Sequence, residues 1–135
     1  MTSQVLSRYV GLPWAQRGRD PQQGLDCWGL VCHYYDQEYD IQLPHLTNDY
    51  QHTSPCSMNS SLALTVAEGW VEQESPRDGD VVLFRVGRWW AHVGILAAQR
   101  TRFLHVLNEG GSALQSLEDL RWNRRPRRYF RHRET

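Results

Sequence analysis

Apolar and polar positions change rhythm about half-way along this chain of 135 residues. Early apolar positions recur at helical spacing, whereas beyond residue 80 they fall in short runs. Val5, Leu6, Tyr9 and Val10 predict a helix over 3–10, stopped by Gly11 and Pro13. The stretch RGRDPQQG, residues 17–24, reads as a polar, turn-rich loop. Trp28, Val31, Tyr35 and Tyr39 then predict a helix with Asp26 as its N-cap, which places Cys27 in the first turn. Residues 40–54 lack periodicity and read as a surface loop, and a further helix is predicted over 58–68, ended by Gly69. DVVLFRV (80–86), AHVGILA (91–97) and RFLHVL (102–107), separated by turn-like joints, predict consecutive antiparallel strands, and Asn108 to Gly111 closes that series. Residues 116–122 predict a short helix and 128–132 a last strand. Helices first, then a small antiparallel sheet, make an α+β domain. The length fits one domain over residues 1–135, with 119–135 at its edge.

Charge adds a polarity to this layout. Fifteen basic and 15 acidic side chains cancel. Yet residues 1–118 hold 8 Arg against 13 acids, and residues 119–135 hold 7 Arg against 2 acids. Every basic residue is Arg, so Schiff-base, Walker-type and Ser–Lys chemistry are excluded. The basic end suits docking on an acidic partner protein. The overall neutrality argues against nucleic acid as its partner, although Arg and aromatics interleave there.

Three cysteines, Cys27, Cys32 and Cys56, without CxxC spacing, argue against a disulfide framework, a zinc ribbon or any metal site, and no cofactor motif is present. The N-terminus lacks a signal-peptide pattern and no segment is long and apolar enough to span a membrane, so the expectation is cytoplasmic synthesis with free thiols.

Three residues carry the candidate chemistry. A helix N-terminus favours a thiolate, and its amides can bind an oxyanion, so Cys27 is placed as a nucleophile would be. Asp26 opposes this by its charge unless capping absorbs it. His92 opens one apolar strand and His105 lies inside the next. A hairpin joint near Gln99 sets them side by side, as a base with its orienting partner. Taken singly, each His also fits a satisfied core position, and Cys32 fits an inert core thiol. Gly94 leaves room for a substrate or another backbone.

The segment from Gly11 to Trp14, GLPW, followed by GLDCWGLV at residues 24–31, resembles the first block of the NlpC/p60 papain-like cysteine peptidases. PRDGDVVLFRVGRWWAHVGILA (76–97) and FLHV (103–106) are similar to the blocks that follow. The resemblance covers about residues 5–110. It implies a papain-like fold, N-terminal helices packed on a small antiparallel sheet, with Cys27 as nucleophile, His92 as general base and His105 as its orienting residue. It further implies hydrolysis of amide bonds in cell-wall stem peptides. DCWGLV and the 17–24 loop look most like tail-tip assembly members of long-tailed phages, which implies tail-tip proteins as partners and a place in a tail particle. A structural module with little activity is the alternative. The family's usual Tyr is absent, so Trp14 or Gln16 would assist at the oxyanion side, together with Asp26. Arg17 and Arg19 are the nearest candidates for substrate carboxylates, with Trp28 and Trp90 beside the site.

Overall fold

The computed structural model describes residues 3–45 and 69–135. The helix predicted over 58–68, and Cys56, lie outside the described residues. A short helix α1 (Ser3–Ser7) precedes a two-stranded ribbon of β1 (Arg19–Asp20) and β2 (Gly24–Leu25). The chain then enters α2 (Cys27–Tyr39). A six-stranded antiparallel sheet follows: β3 (Trp70–Gln73), β4 (Val81–Val86), β5 (Trp89–Ala97), β6 (Arg102–Leu107), β7 (Gly111–Ser116) and β8 (Arg127–His132). Its spatial order is β3-β8-β4-β5-β6-β7, so α+β is the architecture observed.

Alternation along the strands sorts the apolar side chains into two clusters. Val81, Leu83, Val93, Ile95, Ala97, Leu104, Val106 and Phe130 pack with α2 through Cys27, Trp28, Leu30, Val31, Tyr34 and Tyr35. Val82, Phe84, Leu96 and Phe103 point the other way and meet Leu117 and Trp122. Those last two belong to a run of turns over 117–126, where a short helix over 116–122 was predicted. The strand partner explains the difference: Leu104 pairs with Leu114 and Arg102 with Ser116, so β6 claims the chain through Ser116. Beyond it, Asp119 accepts from the backbone N–H groups of Trp122 and Asn123, which is one turn and no more.

The basic C-terminal segment is not an edge. Its strand β8 lies between β3 and β4, hydrogen-bonded to both. Several of its arginines are held within the fold. Arg131 makes a bidentate pair with buried Asp80 at 2.9 Å, and Arg128 pairs with Glu72 at 2.8 Å. Arg127 donates to the carbonyls of Trp122 and Asn123. Cutting the chain after Glu118 would therefore remove a central strand.

Candidate active site

Asp26 is fully buried and caps α2, its Oδ1 accepting from the N–H of Gly29 at 2.8 Å. The same oxygen receives Arg19 Nη1 at 2.7 Å. Cap and guanidinium together absorb the charge that would otherwise oppose a thiolate at Cys27. Arg19 also donates to the carbonyls of Gly18 and His45, so this guanidinium braces the helix start and is not a substrate contact. Gly29 permits the approach of that loop: a Cβ there would lie 2.1 Å from the Gly18 carbonyl oxygen.

Cys27 opens α2 as a buried free thiol. Cys32 is the core cysteine expected, its thiol pushed up to about 12 by burial. Trp28 is also a core residue rather than a wall for substrate: no part of it is exposed, and its indole N–H donates to the Pro44 carbonyl at 2.8 Å. Trp90 is half-buried beneath the Arg128 guanidinium. Trp14 is half-buried beside β2 through a bridge to Leu25, and its indole nitrogen is buried without a partner among the described residues. Gln16 is exposed, and Arg17 takes a left-handed backbone at φ 54°.

The strands bring the two imidazoles together as the hairpin argument expects. The turn after Ala97 carries β5 into β6, and His92 Nε2 lies 2.9 Å from His105 Nδ1. Gly94 makes this possible, since a Cβ there would meet the Leu104 carbonyl oxygen at 2.6 Å and the Phe103 ring at 2.9 Å. The space is thus taken by a neighbouring strand and not by substrate. Trp122 stacks on the His92 ring, with centroids 4.8 Å apart, and meets His105 edge-on. Burial drives the His92 pKa well below its ordinary value, with the nearby His105 and Arg125 acting in the same direction. Burial lowers His105 to about 4, against its hydrogen bond to the Gln115 amide oxygen, which raises it.

The sequence reading missed two further members of this group. His105 Nε2 lies 2.9 Å from Gln115 Oε1, and Gln115 Nε2 donates to Asp119 Oδ2 at 3.0 Å. The signal was present in the alternation of β7. Gln115 pairs with Phe103, on the face that carries His105, but ending the strands at Gly111 hid it. The structure therefore forms two groups, Cys27 with Asp26 and Arg19, and His92 with His105, Gln115 and Asp119. Among the described residues no hydrogen bond joins the Cys27 thiol to either imidazole, and no cluster of metal-binding side chains occurs.

Comparison with known proteins bears on this arrangement. The NlpC/P60 family model matches residues 11–131. The chain belongs to the NlpC/P60 family. Among similar proteins, the "Murein DD-endopeptidase MepS/Murein LD-carboxypeptidase" of Escherichia coli (strain K12) is 28% identical over 108 residues, covering 80% of this chain and 50% of the relative. The chain thus spans about half the length of that protein. A "Probable endopeptidase" of Haemophilus influenzae is 25% identical over 126 residues, 92% of this chain and 68% of the relative. "Tail tip assembly protein K" of Escherichia phage N15 is 35% identical over 78 residues, 53% of this chain and 30% of the relative. The NlpC/p60 domain of the peptidoglycan hydrolase SagA superposes with a TM-score of 0.60 at 19% identity, covering 93% of this chain and 92% of that one. That likeness establishes the NlpC/p60 fold.

Proposed function

We propose that this chain is a cysteine peptidase or amidase acting on amide bonds of peptidoglycan stem peptides, within a single domain over 1–135. The observation that carries the reading is the buried His92–His105 bond of 2.9 Å in a chain whose α2 opens on Cys27. The murein endopeptidase relatives support the substrate class.

In this reading His92 Nδ1 takes the thiol proton, and Cys27 sulfur attacks the amide carbonyl carbon. The amide groups at the start of α2, at the positive end of its dipole, stabilise the oxyanion. The C–N bond breaks as His92 returns the proton to the leaving amine, and water then hydrolyses the thioester. His105 holds His92 through the Nε2–Nδ1 bond. Cys27 packs with the cluster on the α2 face and the imidazoles with the cluster on the other. The start of α2 and the start of β5 must therefore bring thiol and His92 within hydrogen-bond reach in the substrate complex. Of the two proposed oxyanion helpers Trp14 is favoured, its indole N–H being buried without a partner among the described residues.

Cys27→Ala should abolish release of amines from cell-wall fragments while the circular dichroism spectrum is kept. Turnover equal to wild type in that variant would end the assignment. A tail-assembly role is the second reading, favoured by the phage N15 relative. Its test is co-purification with tail-tip proteins by the Cys27→Ala chain, which needs no catalysis.

A further inference from the structure

The hydrogen bonds of the imidazole pair have a direction, and that direction is set from outside the pair. Asp119 is anchored at Oδ1 by the N–H of Arg121 at 2.9 Å, and its Oδ2 accepts from Gln115 Nε2 at 3.0 Å. An ionised carboxylate only accepts, so the Gln115 amide nitrogen must face it. Gln115 therefore presents its oxygen to His105 Nε2 at 2.9 Å. An amide oxygen also only accepts, so the proton of a neutral His105 sits on Nε2. Its Nδ1 is then a bare acceptor, and His92 Nε2 must donate to it across 2.9 Å. The remaining nitrogen of His92, Nδ1, keeps its lone pair.

The opposite order would satisfy the two rings equally well on their own. His105 Nδ1 would donate to His92 Nε2, and the proton of His92 would move to Nδ1, leaving nothing there to receive a thiol proton. Burial keeps both rings neutral around pH 7, so each carries one proton and the choice between the two orders is real.

We propose that Gln115, oriented by Asp119, is a positioning residue that fixes the tautomers of His105 and His92 and so leaves Nδ1 of His92 as the basic nitrogen. The proposal rests on His92 as general base and adds what makes it one. Gln115 and Asp119 are both only partly buried and belong to neither apolar cluster, so their contribution is the direction of the hydrogen bonds rather than packing.

The test reads the protons directly. Long-range proton–nitrogen correlation spectra of the histidine-labelled full chain at pH 7.5 report the tautomer of each ring without substrate. In the wild type both rings should carry the proton on Nε2. In Gln115→Met, which lacks the acceptor, a population of His92 protonated on Nδ1 should appear, and kcat should fall about tenfold with KM unchanged, part of the roughly 100- to 10,000-fold worth of a general base. Gln115→Glu combined with Asp119→Asn rebuilds the same direction, because the new carboxylate accepts from both His105 and Asn. That double variant should restore the wild-type tautomers and most of kcat. Mixed tautomers in the wild type, or wild-type tautomers retained in Gln115→Met, would overturn the proposal. If the tautomers are as stated and no cell-wall fragment is cut, the catalytic reading fails while the positioning of the histidine pair stands.

Discussion

The two faces of the sheet reach stability by different means. The face against α2 is large and built mainly from packed side chains, among them Trp28, Tyr34, Tyr35 and Trp70, with Cys27 as the group that also carries proposed chemistry. Polar tips there bond locally, Trp28 to the Pro44 carbonyl and Tyr35 to the Gly79 carbonyl. The opposite face is small. Phe84, Phe103 and Trp122 close around His92 and His105, and the cover is a run of turns. On the first face packing and chemistry can be altered separately. On the second the same contacts supply both, because the tryptophan that fills the cluster is also what keeps water from the imidazole.

A matched pair of truncations separates these faces most sharply. Trp28→Ala should cost about 4 kcal/mol in urea unfolding, from the cavity and from the lost bond to the Pro44 carbonyl. Trp122→Ala should cost about 3 kcal/mol, since its cover is turns that relax more readily. The distinguishing measurement is the titration of His92 by NMR. Admitting water in Trp122→Ala removes part of the burial that holds the pKa down, so it moves up toward 6.5. Trp28→Ala should leave it in place. Equal shifts in both variants would erase the distinction between the faces.

Proton linkage tests the same small face without a cavity. Both imidazoles have folded-state pKa values below the unfolded value, so the unfolded chain binds protons first. Stability is therefore complete above about pH 6.5 and falls with pH through that value, for His105 down to about 4. Each ring contributes at most about 1.4 kcal/mol per pH unit in this window. Between pH 7 and pH 5 His105 alone should account for about 2 kcal/mol of the change in unfolding free energy, with His92 adding in the same direction, and His105→Gln should remove that part. An unchanged slope in that variant would show that the acid sensitivity arises elsewhere.

How far the sequence carried is explained by the same contrast. Apolar runs and the Asp26–Cys27 helix start are local patterns, so β4, β5, β6 and α2 were legible, as was the His92–His105 pairing, which needs only a two-residue period and a hairpin. β7 was not, because Gly111–Ser116 carries small and polar residues whose strand character comes from pairing with β6. With it went Gln115 and Asp119. The partners of the arginines were not legible either: Arg131 pairs with Asp80 and Arg19 with Asp26, residues 51 and 7 positions apart. Such partners are set by topology and leave no periodic trace.

The smallest effect in the comparison falls at the rims, where β8 offers one arginine to each face. Arg127 stands over the Phe84 ring at 5.4 Å and donates to the carbonyls of Trp122 and Asn123, so it ties the turn cover to the small face. Arg128 stands over Phe130 on the large face and pairs with Glu72, the two side chains being 40% and 49% exposed. Two carbonyl bonds to a charged donor, part-buried, should make Arg127→Ala cost about 1–1.5 kcal/mol. An exposed ion pair contributes little and is screened by salt, so Glu72→Gln should change stability by less than about 0.5 kcal/mol and by nothing measurable in 1 M salt. The argument turns on the order of the two values. The large face gains little from its rim charge because that pair is exposed and screened, whereas Arg127 bonds the carbonyls of the turn cover over the small face. A Glu72→Gln cost exceeding that of Arg127→Ala would reverse this assignment, and urea unfolding of the two variants at low and high salt decides it.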